Sequence, residues 1–449
     1  MKLGRSSAWG RIRPWLRASL CLLPVWLAAE AGAREPAVIL ISMDGTRPQD
    51  VTPEELPILV EISRRGAVAE RLIPAPPSNT FPNHVTLVTG VAPERHGIVN
   101  NAFIDADRGF FEKKEIPSWI ETEPLWSILS RRGIVSAAYY WVGSEGPWRS
   151  GRGPSHWVPF SSRTREKTKV KQILDWLALP EPERPRFITS WFRGADHTGH
   201  HHGPGSKQVK AALRAQNHAL AALVLGLEQR GLLESTTLIV LSDHGMVAAT
   251  RHVDLSSALA EAGVGAQVLG IGGFAGVYLD RRDRSRTADR AEGADPRVAR
   301  VVEIASGLGL TATPRQGAPA SLRVGHPRFG DLVVRAPVGT AIVYPKLDLA
   351  GFHGYDPEHP AMAAIFVAFG RGARPGTRLP PVRAVDVAPT VLALFGVEVP
   401  DWMEGRPIEG LLPSSAERGA AQREATRSGS SATMDPVDVP LALPSQSSR

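Results

Sequence analysis

Five short apolar runs constrain this chain more than any other feature: Ala37–Met43 (AVILISM), Ile134–Trp141, Phe187–Trp191 (FITSW), Thr237–Leu241 (TLIVL) and Ala363–Ala368 (AAIFVA). Unbroken apolar stretches of this length read as strands buried on both faces. Helical segments lie between them. Leu56–Arg65 is stopped by Gly66, and Val85–Thr89 continues out of a proline-rich loop. In Ser206–Arg230, residues Val209, Leu213, Leu220, Leu223, Val224 and Leu227 fall near one stripe, and Gly231 stops it. Val385–Phe395 has Asp386 and Pro389 in its first turn and Gly396 at its end. The alternation predicts an α/β fold with a mostly parallel sheet and helices on both faces. The stretch 247–349 breaks the alternation with short strand-like pieces such as Asp331–Arg335 and a charged run, Asp280–Arg290. It reads as an inserted smaller lobe, or as an ordinary second folding unit with no part in the chemistry.

Composition narrows the function. A chain of 449 residues, 43% hydrophobic and 22% charged, can bury a substantial core, which excludes a fibre or wholesale disorder. The net charge is +7, but Lys2, Arg5, Arg11, Arg13 and Arg17 against Glu30 place +4 of it in residues 1–33. The basicity is therefore no nucleic-acid signature, and no specific nucleic-acid partner is expected. Cys21 is the sole cysteine, which excludes an internal disulfide and a thiolate metal site. Residues 1–33 read as a secretory signal: a basic start, the apolar run Ala18–Ala29 and a small-residue cleavage site at Ala31-Gly32-Ala33. The alternative is an uncleaved anchor, although the run is short and Pro24 interrupts it. The expected location is periplasmic or secreted, with no membrane span in the mature chain. Residues 413–449 are Ser-rich and aperiodic and read as a disordered tail.

Polar residues gather where the runs end. Asp44 follows the first, Asp196 and His200 follow FITSW, and Asp243 and His244 follow TLIVL. Open α/β sheets build their sites outside the carboxyl ends of strands, so these groups can share one crevice. Carboxylate and imidazole together suit zinc or a similar divalent ion. The Gly/His string around Asp196 and His200 suggests a loop rather than a regular helix. A nucleophile is offered by Thr80 in PAPPSNTFPNH, where Pro82 suits a helix start whose free backbone N–H groups would face an anion. A metal ion can activate such a hydroxyl. The competing reading of Thr80 is a helix N-cap.

These residues carry a resemblance. The segments ISMDGTRP (41–48), TFPNHVTLVTGVAPERHGIVNNAF (80–103), ADHTGHHHGP (195–204), LSDHGM (241–246) and GFHGYDPEHPAMAAIF (351–366), with a weaker HPRFGDLVV (326–334), resemble the nucleotide pyrophosphatase/phosphodiesterase family of the alkaline phosphatase superfamily. The resemblance spans about residues 37–400 and implies an alkaline-phosphatase-like domain over 34–412. It implies two Zn2+ ions, one held by Asp196, His200 and His353, the other by Asp44, Asp243 and His244 with the Thr80 oxygen. Three carboxylates and a threonine alkoxide would balance two such ions, so an anionic ester is not repelled. Asn101 would contact a phosphate oxygen. Phe81 and Trp191, the latter where the family commonly has tyrosine, would flank a slot for a base. Thr46, Arg193-Gly194-Ala195 and Pro357 depart from the family pattern, and none removes an implied ligand.

The implied activity is hydrolysis of phosphodiester or pyrophosphate bonds in nucleotides, releasing nucleoside monophosphates through a phosphothreonine on Thr80. The runner-up is a phosphodiesterase acting on phospholipid head groups or other organic diesters at the same site, and a phosphomonoesterase stands third. From other classes come an inactive nucleotide-binding relative and a structural metal protein. Either Phe81 or Trp191 could also be plain core packing. His84, His96, His197, His201, His202, His252, His326 and His359 are read as hydrogen-bonding or exposed groups. The oligomeric state is not read from the sequence.

Overall fold

The computed structural model describes residues 34–149, 151–280, 295–345 and 347–411. The signal-like segment 1–33, the tail 413–449 and nearly all of the charged run at 280–290 lie outside the described residues. Among those described, no helix is long and apolar enough to cross a membrane.

Eight strands form the central sheet: β1 (Ala37–Met43), β2 (Ala67–Ala69), β3 (Ser136–Tyr139), β4 (His156–Val158), β5 (Phe187–Phe192), β6 (Thr236–Leu241), β7 (Phe366–Gly370) and β8 (Thr377–Leu379). Their spatial order is β8-β2-β7-β6-β1-β5-β3-β4. Every pairing is parallel except the two made by β7, which runs against both β6 and β2. The α/β, mostly parallel architecture expected from the sequence is therefore present. The helices that matter here are α1 (Pro57–Arg64), α2 (Thr80–Thr89), α3 (Glu166–Leu177), α4 (Gly194–His202), α5 (Lys207–Gln229) and α6 (Val387–Leu394).

Strand alternation explains the two-sided burial. Ile39, Ile41 and Met43 of β1 join one core with Leu59 and Ile62 of α1, Ile173 of α3 and Leu213, Leu220 and Leu223 of α5. Val38 and Leu40 face the opposite core with Leu87 and Val88 of α2 and Val387, Val391 and Leu392 of α6. Within 247–349 stands a separate antiparallel sheet, ordered Ala266–Leu269, Phe274–Leu279, Leu332–Arg335, Thr311–Pro314. Its core includes Leu259, Val277, Val301 and Leu332.

Two local readings need correction. The segment carrying Asp196 and His200 is a regular helix, α4, and not a loop. Gly199 is there for packing: a Cβ on it would lie 2.3 Å from Met246 Sδ. Gly203, at φ +76°, ends the helix in a conformation that favours glycine. Tertiary contact thus overrides a glycine-rich composition. The run AAIFVA contributes its strand later than expected, because Ala364 first exchanges backbone hydrogen bonds with Leu72 and only Phe366–Gly370 joins the sheet.

Candidate active site

The sheet register sets the site. Met43 pairs with Phe192 and Ser42 with Leu241, so β1, β5 and β6 end level. Asp44 leaves β1 and Asp243-His244 leave β6 at that edge. Gly45 turns the chain at φ +66°, and a Cβ there would lie 2.9 Å from Cβ of Asp196. The Asp196 amide donates to the Asp44 carbonyl at 3.1 Å and draws the start of α4 into the same corner. His353 arrives from the loop after Gly351–Phe352, and Thr80 opens α2.

Thr80 is the first helical residue and Asn79 occupies the cap position, so the N-cap reading of Thr80 fails. The Thr80 hydroxyl lies 3.1 Å from His244 Nε2. The free amides expected at the start of α2 are mostly engaged. Phe81 N–H donates to Asn101 Oδ1 at 2.9 Å, Pro82 has no N–H, and Asn83 N–H donates to the Asn79 carbonyl. At most the Thr80 amide is left, and Asn101 keeps its amide nitrogen for the cleft it lines.

Three imidazoles share one arrangement. His200 Nδ1 is tied to the Gly351 carbonyl at 2.8 Å, His244 Nδ1 to that of Gly245 at 2.9 Å, and His353 Nδ1 to Asn79 Oδ1 at 2.8 Å. An Nδ1–H donated outward leaves the Nε2 lone pair facing in. Opposite these lone pairs stand carboxylate oxygens. His200 Nε2 is 3.4 Å and His353 Nε2 3.8 Å from Asp196 Oδ1. His244 Nε2 is 3.5 Å from Asp44 Oδ1 and 3.2 Å from Asp243 Oδ2. Those three oxygens are buried and have no hydrogen-bond partner. Lone pairs meeting lone pairs in a buried pocket is costly unless a proton or a metal cation lies between them.

The titration directions agree. Burial, then the neighbouring Asp243 and Asp196, hold the Asp44 carboxyl well above its ordinary range. Burial pushes Asp243 the same way, but His244 and His84 outweigh it and hold that group low. Burial, then His244 and His200, push His353 well below the ordinary imidazole value, so it is neutral. A neutral His353 imidazole beside carboxylates that cannot all ionise unaided belongs to a donor set that a divalent cation fits.

Two groups of donor atoms lie within 4.8 Å of one another: Asp196, His200 and His353, and Asp44, Asp196 and His244. The first matches a set named from the sequence. The second has Asp196 where the sequence-based set has Asp243. Asp243 Oδ2 sits 3.3 Å from His84 Nδ1, which is itself hydrogen-bonded to the Thr80 carbonyl at 2.9 Å.

A cleft of about 360 Å³ opens onto these groups and is lined by Phe81, Asn101 and Trp191, and also by Asn79, Asn100, Lys113, Phe160 and Tyr344. Trp191 stacks on Phe160 with centroids 5.5 Å apart at 24°, and its Nε1–H donates to Asp44 Oδ2 at 2.8 Å. Phe81 meets Phe111 edge-on and lies under the Lys113 ammonium at 4.7 Å. Sequence reading missed Asn79 and Phe160. Asn79 adjoins Thr80 and was findable by position; Phe160 carries no local signal.

Residues 38–356 match the family model described as type I phosphodiesterase / nucleotide pyrophosphatase. The chain belongs to this family. Rat ectonucleotide pyrophosphatase/phosphodiesterase family member 3 is 36% identical over 222 residues, which are 48% of this chain and 25% of that protein. The chain thus matches a quarter of the length of that relative. An uncharacterised pyrophosphatase/phosphodiesterase of Schizosaccharomyces pombe is 27% identical over 416 residues, 86% of this chain and 82% of that one. The solved human ectonucleotide pyrophosphatase/phosphodiesterase 5 superposes with a TM-score of 0.75 at 25% identity, over 84% of this chain and 100% of that one. Its murine counterpart, an inactive variant in complex with AMP, has a TM-score of 0.73 at 24% identity, a likeness of fold.

Proposed function

We propose that this family member hydrolyses phosphodiester and pyrophosphate bonds in nucleotides and releases nucleoside monophosphates, with Thr80 as nucleophile. The carrying observation is the Thr80 hydroxyl held 3.1 Å from His244 Nε2, beside two overlapping groups of metal-ready donors. Asp196, His200 and His353 would hold one Zn2+; Asp44, Asp243 and His244 would hold the other, with Asp196 within reach of both. When bound, such ions supply Lewis-acid stabilisation of an alkoxide and of the charge that develops on phosphoryl oxygens.

The chain's own groups do the rest. Thr80 Oγ1 attacks phosphorus in line; the P–Oγ bond forms as the bond to the leaving oxygen breaks, and the hydroxyl proton passes through solvent to that oxygen, giving phosphothreonine and the free leaving group. Water then cleaves the P–Oγ bond, releasing the monophosphate and restoring the hydroxyl. The Asn101 amide nitrogen donates to a non-bridging oxygen, and Phe81 fixes Asn101 through its backbone N–H. Asn79 fixes His353 through Nδ1, so the loop before the nucleophile also orients a ligand. Trp191 and Phe160 form a flat wall on which a base stacks, and Phe81 also lines the cleft. The aromatic wall of Trp191 and Phe160 favours a nucleotide over a phospholipid head group.

We take 34–412 as the catalytic domain with 247–349 inserted, and the leader pattern in 1–33 as export to the periplasm or beyond. The test is hydrolysis of ATP, p-nitrophenyl thymidine phosphate, a lysophospholipid and p-nitrophenyl phosphate, compared with and without chelator. Thr80→Ala should retain metal and lose turnover on the nucleotide substrates. Near-normal turnover by Thr80→Ala refutes the nucleophile, and a preference for the lysophospholipid refutes the substrate class.

A further inference from the structure

Helix α4 carries a second metal-binding pair that the proposed chemistry does not use. Asp196 and His200, four residues apart, face the core site. One residue further, a turn of about 100° around the helix axis, His197 and His201 repeat the same spacing on the exposed face. Side chains four apart on a helix are neighbours, and two histidines so placed are a known way to hold zinc.

The ring separation is the one that a shared ion requires. His197 and His201 have centroids 5.0 Å apart with planes at 79°. Two imidazoles on one tetrahedral ion, each at a metal–nitrogen distance of about 2.0–2.1 Å, place their centroids roughly 5 Å apart. An internal yardstick agrees: His200 and His353, both in a core donor group, have centroids 5.1 Å apart. His201 and His202, by contrast, are 6.5 Å apart, too wide to share an ion. Arg193, which precedes α4, donates to the Ser162 carbonyl at 3.0 Å.

We propose that His197 and His201 form an accessory site for a borderline divalent cation such as Zn2+, Ni2+ or Cu2+, with solvent completing the coordination. These ions prefer imidazole, whereas Mg2+ and Ca2+ prefer oxygen. Two ligands make the site weaker than the three-residue groups below it. His197 also lines the cleft, so the ion stands at the rim through which substrate enters. A positive charge there adds to the field met by an anionic substrate.

The test is calorimetric titration of the full protein with Zn2+ alone. Beyond the tight equivalents of the core, one weaker equivalent is expected. His201→Gln should remove that equivalent and leave the tight ones, while His202→Gln should leave all of them. The proposal is overturned if the wild type takes up no weaker equivalent, if His201→Gln retains it, or if His202→Gln loses it as fully. Tight equivalents report on the core and the weak one on the rim, so failure of one reading is distinct from failure of the other.

Discussion

Replacing Trp191 by Phe keeps a flat ring against Phe160 and removes one donor, the indole N–H that meets Asp44 Oδ2 at 2.8 Å. Asp44 is 1% exposed, so water cannot restore the lost bond. A hydrogen bond to a charged acceptor contributes about 1.5–3 kcal/mol, which converts to roughly 10- to 100-fold in an equilibrium constant. Groups that orient a metal ligand typically change metal affinity by about 10- to 100-fold when removed, the same range. Asp44 stands in one donor group and not the other. Trp191→Phe should therefore weaken one zinc equivalent by about that factor and leave the other tight. Competition for zinc against a chromophoric chelator reads the two equivalents separately. Steady-state kinetics at saturating zinc then isolates the stacking role. A variant that keeps both zinc affinities and shows only a raised KM refutes the ligand-orienting role and leaves Trp191 as a stacking surface.

Three further outcomes follow from buried groups elsewhere. Gly199→Ala should lower the melting temperature although alanine is the better helix former, because its Cβ would sit 2.3 Å from Met246 Sδ; a raised melting temperature would show that Met246 yields freely. Arg328, 5% exposed, pairs with Asp105 at 2.6 Å and Glu121 at 3.0 Å and donates to the carbonyls of Gly97 and Trp119. Arg328→Met strands these partners and should cost about 3–5 kcal/mol in urea unfolding; a loss below about 1 kcal/mol, the range of exposed pairs, would refute the clasp. His96 is fully buried, and burial lowers its pKa from 6.5 to about 3. Its Nδ1 accepts from the Ile98 amide at 3.2 Å and Nε2 meets the Thr86 hydroxyl at 3.0 Å, so the neutral ring is satisfied. The unfolded chain binds that proton first, so stability is full above pH 6.5 and falls as pH drops from there towards 3. The loss attributable to His96 approaches about 5 kcal/mol. His96→Asn should flatten this acid limb in denaturation curves, and an unchanged slope would remove His96 as its cause.

Periodicity and punctuation carried most of the architecture. The runs at β1, β5 and β6 are mostly apolar and buried almost throughout because both faces are covered, a property visible in one dimension. Gly66 and Gly231 lie just beyond α1 and α5, whose observed ends are Arg64 and Gln229. Asp44, Asp196, His200, Asp243 and His244 are legible at strand ends, His353 only through the family resemblance, and the fold brings all six near Thr80.

Other features depend on contacts distant in sequence. Nothing local makes Gly194–His202 a helix; the helix exists because Gly199 can lie against Met246. Nothing local turns β7 antiparallel or moves its start to Phe366, since Leu72 claims Ala364 first. The sharing of Asp196 between two donor groups, and the approach of His84 to Asp243, depend on side-chain rotamers set by packing. The same holds for Asn101, whose carbonyl oxygen is taken by the Phe81 amide at 2.9 Å. Residue order thus determined which chemical groups reach the end of the sheet, because hydrophobic burial fixes strands and their ends. Tertiary packing alone decided which oxygen faces which nitrogen, because those distances are set by neighbours up to 275 residues away, as between Ser78 and His353.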